Sequence, residues 1–592
     1  MKKIGIGYEN YKQFTDQNLY YVDKTLLVQD VLEKGGAVTL ITRPRRFGKT
    51  LALSMLRTFF ELEYDRDGNV IDKRRYFEGR KIMDAGDEIL SKMGQYPVIK
   101  LSLKGAKQPD FQSSFLAIRR EIISEYNRHS YLLDSYELSQ EERNLFAEFY
   151  SGEMSWRKRA YAFQSPAQRE DAIREECGIY DASLKTLSEL LKKHHGKNVL
   201  ILLDEYDVPL ENAWASGFYD PMIGFIRSLF ESALKTNDAL ELAVVTGCLR
   251  ISRESIFTGL NNLNTISIRS GSFSEAFGFT EEETMQLLSD YGMDEKAEEV
   301  REWYDGYLFG DSDIYNPWSL TKYVYEHLSL PNALPEPYWS NTSSNSVIKD
   351  LVFHADEKVR EELDVLIGWG TIEKKIHEDI TYADIHKSSD NLWNFLFFTG
   401  YMRKVSERRI GEDIYVTMRI PNLEIRSIYR NQIQGWFDRI VKDVDRDELF
   451  RAVLDKDTIK MGKILTDLLK HSISTFDSDE SFYHGFLLSM LIGMKDYRAR
   501  SNREEGAGRP DITLYPENPP DPAYIFEIKT RKKYNEMDDG LREALEQITE
   551  KRYEEGILDD GYAGAVSYGV CFCRKSCIVG LYSDRDFTIG AF

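Results

Sequence analysis

Cysteine is scarce in this chain, with five residues in 592. So few thiols cannot build a disulfide framework over such a length, and they suit a reducing compartment. Cys571, Cys573 and Cys577 do cluster, but they lie in the strand-like "YGVCFCRKSCIVGLY" with no second ligand pair nearby. Ordinary strand cysteines are therefore expected rather than a metal site. Long apolar runs are lacking as well. The longest, "FLLSMLIGM" from Phe486 to Met494, is about half of the roughly 20 residues that cross a bilayer. "MKKIGIGYENYKQF" has no apolar stretch behind its lysines, so no secretory signal is expected there. A soluble, cytoplasmic chain with no membrane partner is the expectation. Positive charge is in deficit: Lys+Arg number 77 and Asp+Glu 98, a net charge of −21. That charge opposes indiscriminate coating of nucleic acid, so such a partner would have to be met at a local basic patch. Internal repeats and low-complexity linkers are also missing.

What remains is ordinary globular composition, 42% hydrophobic and 12% aromatic, in a chain long enough for about three or four domains. The first part alternates strand-like and helix-like segments, the mark of an α/β sheet. "AVTLIT" (37–42), "YPVIKLSL" (96–103), "NVLILLD" (198–204) and "LELAVVTG" (240–247) are apolar, β-rich runs of the kind that parallel strands buried on both faces require. A charged stretch of helical periodicity, about 107–195, reads as a helical insertion. The character turns helical and aromatic over 280–350, continues helical with short strands over 351–444, and becomes β-rich after Pro510.

"RPRRFGKT", Arg43 to Thr50, ends as a phosphate-binding loop should, yet Arg43 stands where the first glycine of G-x-x-x-x-G-K-[ST] belongs. A buried strand runs into it and a helix beginning at Lys49 or Thr50 leaves it. That arrangement lets loop and helix amides cradle phosphate oxygens. Lys49 would reach the β- and γ-phosphates, and the Thr50 hydroxyl would ligate Mg²⁺. Gly48 permits close backbone approach, while the first glycine mainly eases the chain into the loop. Arg45 and Arg46 add positive charge, or face solvent or nucleic acid. "NVLILLDEYD" then supplies a strand ending in Asp204 and Glu205. The first acid would hold Mg²⁺ through water and the second polarise the attacking water. Thr246, at the end of the next strand, sits where a polar sensor would stand. Arg250 and Arg253 could sense the γ-phosphate or act as arginine fingers, with surface ion pairs the alternative.

Together "YYVDKTLLVQDVLE", "LITRPRRFGKTLALSML", "ILLDEYDVPL", "GCLRISRESIFTGLNNL", "WYDGYLFG", "YNPWSL" and "YWSNTSSN" resemble the bacterial AAA-ATPase-like family. The resemblance implies that Arg43 is that family's normal form and that the loop is a genuine ATP site formed by Arg46, Phe47, Gly48, Lys49 and Thr50, with Asp204, Thr246 and Arg250 as partners. A possible neighbour in a homo-oligomer is implied only through the arginine-finger role.

A second constellation stands in "GAGRPDITLYPENPPDPAYIFEIKT". Period-two alternation puts Glu527 and Lys529 on one strand face, and a hairpin could bring Asp511 beside Glu527. Two carboxylates and a lysine can make a phosphodiesterase centre, the acids holding Mg²⁺ or Mn²⁺ and Lys529 orienting water. Net negative charge does not exclude this chemistry, because such centres are themselves acidic. The pattern is similar to the PD-(D/E)XK nuclease superfamily. That similarity implies a further acid from a preceding helix, for which Glu480 is the candidate, and places Gln547 and Tyr553 at the edge of the site. "KTRKKY" offers local basic charge for a nucleic-acid backbone. Trp303, Tyr304, Tyr307, Trp318, Tyr338 and Trp339 are expected to pack a lid or joint, with base stacking as the alternative. His194 and His195 read as an exposed turn.

The expected architecture is α/β: a P-loop NTPase domain with a parallel sheet (1–279, insertion about 107–195) and a helical lid-like region (280–350). A helical, winged-helix-like connecting region with short strands follows (351–444), and a C-terminal α/β restriction-endonuclease-like domain ends the chain (445–592). The expected function is ATP binding, with ATPase activity coupled to a metal-dependent nuclease acting on DNA or RNA. The alternative is a nucleotide-switched interaction protein whose nuclease-like domain does not cut.

Overall fold

The four apolar runs become strands of one sheet in the computed structural model of the protein. The structure describes residues 2–65, 67–160, 165–250, 256–257, 262–339, 357–376, 382, 385, 388–431, 446–470, 480–492, 494–501, 510–582 and 588–589. The chain divides into two compact units, Met1–Ser344 with Thr371–Ile428, and Asn345–Gly370 with Tyr429–Phe592. Among the described residues no helix is long and apolar enough to cross a membrane.

In the first unit the strands are β1 (Val38–Thr42), β2 (Val98–Ser102), β3 (Val199–Asp204), β4 (Leu240–Gly247) and β5 (Leu263–Ile266). Their order among the described residues is β2-β3-β4-β1-β5, and every pair is parallel. β1 and β3 are buried at every position, which is why they read as continuous apolar runs. The sequence pattern did not point to β5. It is an edge strand whose Leu263, Asn264 and Thr265 are only half-buried, so it lacks the apolar run that marks its neighbours. Helix α1 (Lys49–Phe60) follows β1 and buries Leu53, Met55, Leu56, Phe59 and Phe60 against the sheet.

Between β2 and β3 lies the helical insertion, with helices Phe111–Arg128, Gln140–Tyr150, Gly152–Ala160, Pro166–Tyr180 and Ser183–His195. Their starts follow from sequence. The Asp110 side chain accepts from the Ser113 amide, Ser139 and Glu142 form a reciprocal capping box, and Ser165 caps a helix whose first residue is Pro166. His194 and His195 correct the expectation of an exposed turn. They end a helix and pack half-buried, His194 Nδ1 2.7 Å from Ser135 Oγ and His195 Nε2 2.9 Å from Tyr131 Oη.

The aromatic region packs, as its composition suggested. Tyr304, Tyr315 and Tyr323 have no exposure and share a core with Tyr291, Leu320 and Tyr338. Strands β6 (Phe279–Thr280), β7 (Tyr307–Phe309) and β8 (Ser312–Tyr315) form a small antiparallel sheet beside helix α2 (Pro317–Ser329). Residues 371–428, read from sequence as part of the connecting region, belong to this same unit. They contribute β9 (Ile372–Lys375), helix Ser389–Phe398, β10 (Arg403–Ile410) and β11 (Asp413–Arg419), paired in the order β10-β11-β9.

The second unit is built on a mixed sheet of β12 (Tyr497–Ser501), β13 (Ile512–Pro516), β14 (Ala523–Thr530), β15 (Ala565–Cys573), β16 (Ser576–Leu581) and β17 (Thr588–Ile589). The strands lie in sequence order, with β14 and β15 parallel and the other neighbours antiparallel. Helix α3 (Glu480–Leu491) covers one face, where Tyr483 stacks on Phe572 at 4.6 Å between ring centres. Helix α4 (Met537–Lys551) covers the other, packing Leu541 and Leu545 with Ile525, Cys571 and Cys573. The three clustered cysteines are buried residues of β15 and β16, and burial holds the Cys571 thiol up at about 12.

Candidate functional site

The loop after β1 is positioned by a backbone that leaves the sheet and turns sharply. Gly48 takes φ +85°, and a Cβ there would meet nothing within 4 Å, so left-handed conformation rather than crowding calls for glycine. Arg46 also has positive φ, at +69°. Lys49 is 5% exposed. Its ammonium donates to the carbonyls of Arg43 (2.8 Å) and Pro44 (2.9 Å) and lies 3.6 Å from Cys248 Sγ.

Arg43 does not face the loop's concave side at all. Its guanidinium is fully buried and donates to the carbonyls of Thr42 (2.9 Å), Ile266 (3.4 Å) and Phe273 (3.0 Å). It lies over the Phe309 ring at 4.8 Å. Burial without a carboxylate partner pulls its pKa down to about 9. Arg43 thus replaces the flexible first glycine with a tie from β1 to the segment after β5.

The rest of the loop is gripped residue by residue. A Cβ on Gly400 would come within 2.7 Å of Pro44 Cβ. The Arg45 carbonyl accepts from Trp339 Nε1 at 3.2 Å, and its guanidinium pairs with Glu211. Exposed Arg46 lies over the Trp318 ring at 4.5 Å, and buried Phe47 meets Tyr307 edge-on at 4.9 Å. Sequence reasoning assigned none of these partners, because they arise hundreds of residues downstream.

The strand order sets the acids. β4 lies between β1 and β3, so the helix start that follows β1 and the end of β4 converge on Asp204 at the end of β3, which has no exposure. Thr50 Oγ1 donates to Asp204 Oδ2 at 2.7 Å, and Thr246 Oγ1 donates to Asp204 Oδ1 at 2.7 Å. Glu205 has φ +52°, and burial raises its carboxyl pKa against the opposing pull of Lys49. A cavity of about 370 Å³ opens here, lined by Arg46, Gly48, Lys49, Thr50, Lys104 and Glu205. Arg250 is half-buried just beyond β4 and does not line this cavity. Arg253 lies outside the described residues. Asp207, absent from the sequence reading, is buried and accepts from the Cys248 (2.7 Å) and Leu249 (3.1 Å) amides, fixing the turn after β4. Its only sequence signal was a third acid in "DEYD".

In the second unit, antiparallel pairing sets Ile512 opposite Phe526 and so brings Asp511 beside Glu527. Asp511 Oδ2 accepts from the Ile528 amide at 2.8 Å. Glu527 is 2% exposed, and its Oε1 accepts from Gln547 and from Lys529 Nζ, the latter at 3.4 Å. Lys529 Nζ also donates to Gln547 Oε1 at 2.7 Å, while Gln547 Nε2 stands 3.3 Å from Tyr553 Oη. Burial, followed by the Asp511 charge, pushes the Glu527 carboxyl up to about 7, and burial raises Asp511 as well. His484, one turn into α3, was not foreseen. Its Nε2 donates to the Asp511 carbonyl, 2.9 Å away. Glu480 opens that helix, and its side chain lies outside the described residues.

Among the described residues Glu527 Oε2 is buried with no hydrogen-bond partner, and such an oxygen is costly unless something cationic meets it. Two hard carboxylates with that unpaired oxygen fit a divalent cation. The hydroxyl of Thr50 beside Asp204 fits Mg²⁺ equally. Among the described residues no group of three or more His, Cys, Asp or Glu is gathered as a metal cluster.

Comparison with known proteins agrees with this geometry. Residues 5–257 match the family described as "Predicted AAA-ATPase", and residues 478–581 match the PD-(D/E)XK nuclease superfamily. A relative from Azotobacter chroococcum mcd 1, an uncharacterized protein in the vnfD 5' region, is 26% identical over 434 residues. The match covers 72% of this chain and 69% of that protein. The chain therefore carries an AAA-ATPase-like domain in its N-terminal half and a PD-(D/E)XK nuclease-superfamily domain near its C-terminus.

Proposed function

We propose that the protein binds and hydrolyses ATP and that its nucleotide state governs a metal-dependent phosphodiesterase acting on DNA or RNA. The observation that carries this is Glu527 Oε2, a buried acid oxygen without a hydrogen-bond partner among the described residues, on a carboxylate that feels the charges of Asp511 and Lys529.

At the nucleotide site, the amides from Gly48 to Thr50 and the start of α1 receive phosphate oxygens. Lys49 exchanges its own loop's carbonyls for the β- and γ-phosphates. Thr50 and Asp204 would hold Mg²⁺, which when bound neutralises charge developing on the phosphates. Thr246 keeps Asp204 oriented through their 2.7 Å hydrogen bond. Glu205, with its raised pKa, is suited to take a proton from the attacking water.

At the second site, Asp511 and Glu527 would hold Mg²⁺ or Mn²⁺, which when bound lowers the pKa of water and steadies the phosphorane charge. Lys529 orients that water, and Gln547 holds both Glu527 and Lys529 in place. Glu480 is the candidate third acid. A cytoplasmic location and assembly into a homo-oligomer belong to the same proposal, the first supported by free cysteines.

The test is Mn²⁺-dependent cleavage of single- and double-stranded DNA and RNA, with and without ATP, in wild type, Lys529→Ala and Lys49→Ala. Cleavage lost in Lys529→Ala and altered in its ATP response by Lys49→Ala is expected. Equal cleavage by wild type and Lys529→Ala would remove the second site from the chemistry.

A further inference from the structure

Edge strand β12 carries two exposed arginines, Arg498 and Arg500. Residues directly opposite across a sheet share a face. Arg500 pairs with Thr513 and Arg498 with Tyr515. Thr513 pairs in turn with Ile525 on β14. Alternation places Glu527 and Lys529 on the Ile525 face, two and four residues further on, and Thr513 lies two residues beyond Asp511. Both arginines therefore stand on the sheet face that carries the Asp511–Glu527–Lys529 centre. The C-terminal end of β12 is the end nearest that centre, since Ser501 pairs with Ile512.

Neither arginine has a carboxylate partner among the described residues. Two cations beyond the end of β14 are paired by contrast, Arg531 with Glu543 and Lys533 with Glu536. The exposed acids near β12, Asp496, Glu517 and Asp521, gather at its opposite end, where the Glu517 amide donates to the Asp496 carbonyl at 2.9 Å. Two guanidinium groups without a carboxylate among the described residues, about 7 Å apart along the strand, form a local positive stripe in a chain of net charge −21. Guanidinium is the side chain best matched to phosphate oxygens.

We propose that the exposed face of β12, through Arg498 and Arg500, is the track on which the nucleic-acid backbone lies as it runs to the second site. This rests on the nuclease reading for its purpose, but its test does not depend on cleavage. Lone charges on an edge strand also discourage sheet-to-sheet pairing, and the experiment separates the two roles.

The full chain is titrated with a labelled single-stranded oligonucleotide and with a duplex, in EDTA so that no bond is cut, across a range of salt concentrations. Variants are Arg498→Gln, Arg500→Gln, the double Gln variant, the double Lys variant and Lys470→Gln as a surface control, each checked by thermal melting. On single strands each Gln change is expected to flatten the log K against log salt slope by about 0.7, and on duplex by about 0.9. Affinity falls accordingly, and the polymer whose slope the Gln changes flatten is the one the track serves. The double Lys variant keeps the wild-type slope, as does Lys470→Gln. Folded Gln variants with wild-type slope and affinity would overturn the proposal, whether or not they self-associate. Absence of wild-type binding to either polymer would overturn it as well. Binding with the expected loss of slope, but no cleavage once Mn²⁺ is supplied, would uphold the track and sink the nuclease reading instead.

Discussion

The indole nitrogen of Trp339 donates to the carbonyl of Arg45, 3.2 Å away. A lid residue thus holds the main chain of the phosphate-binding loop. Trp339 is itself held, since its amide donates at 2.8 Å to Glu424, which also accepts from the Ser319 hydroxyl. The relation explains how a loop without its first glycine keeps its shape: each residue from Arg43 to Phe47 is fixed from outside the loop.

Trp339→Phe keeps the ring but removes the donor. A fully buried carbonyl left unpaired costs about 1–3 kcal/mol, and this part-buried one lies toward the lower end. The expected outcome is a folded protein with lower denaturant stability and ATP affinity weakened several-fold. Equal ATP affinity by titration calorimetry would show that the loop holds its shape without the tie.

Arg43→Gly restores the common loop motif, yet it is expected to harm the protein. It strips hydrogen bonds from the Ile266 and Phe273 carbonyls and opens a cavity beneath Phe309, a combination worth about 2–4 kcal/mol. Denaturant unfolding reads the loss, and ATP titration should show no gain in affinity. A variant as stable as wild type would mean the buried guanidinium is dispensable.

Glu424 supplies a pH dependence. It is fully buried, and burial pushes its carboxyl up to about 8. The unfolded chain releases that proton near pH 4.5, so over the window from about 4.5 to 8 the folded state holds a proton that the unfolded state has lost. Stability contributed by the neutral form is complete below that window and is lost as pH rises through it. Glu424→Gln keeps an acceptor for Trp339 and Ser319 but cannot ionise. Melting temperatures of wild type and variant should differ little at pH 5 and diverge in favour of the variant by pH 8. Parallel melting curves across that range would count against the buried neutral acid.

Gln547→Ala removes the amide that bridges Glu527, Lys529 and Tyr553. Groups that orient ligands in this way typically contribute about 10–100-fold in metal affinity or rate. Cleavage should fall by that order, with more Mn²⁺ needed for half-maximal rate and little change in melting temperature. An unchanged Mn²⁺ dependence would make Gln547 a packing residue only.

Much of the chemistry was legible because it is local. A strand running into "FGKT", a strand ending in Asp204-Glu205, and alternation along "AYIFEIKT" each need only a few consecutive residues. β14 spans Ala523–Thr530, the eight residues that the alternation marked. β5 was not legible, since a half-exposed edge strand has no hydrophobic signature. Nor was the fate of Arg43, which in sequence only stands where the first glycine belongs but is buried with carbonyl partners 223 and 230 residues away. Asp207 and His484 were missed for the same reason, because each acts by bonding a backbone group that only folding brings near.

By itself the sequence determined which groups are available and their local direction: Lys49 and Thr50 at a helix start, acids at the end of a buried strand, Glu527 and Lys529 on one face. Those follow from helical and strand periods, which are properties of the nearby chain. Tertiary structure decided which distant groups meet. It put Thr50 and Thr246 on the two oxygens of Asp204, clamped a glycine-poor loop beneath Trp339, and raised the Glu527 carboxyl to about 7 by burying it beside Asp511. Burial and charge proximity act through space, and no short stretch of sequence contains them.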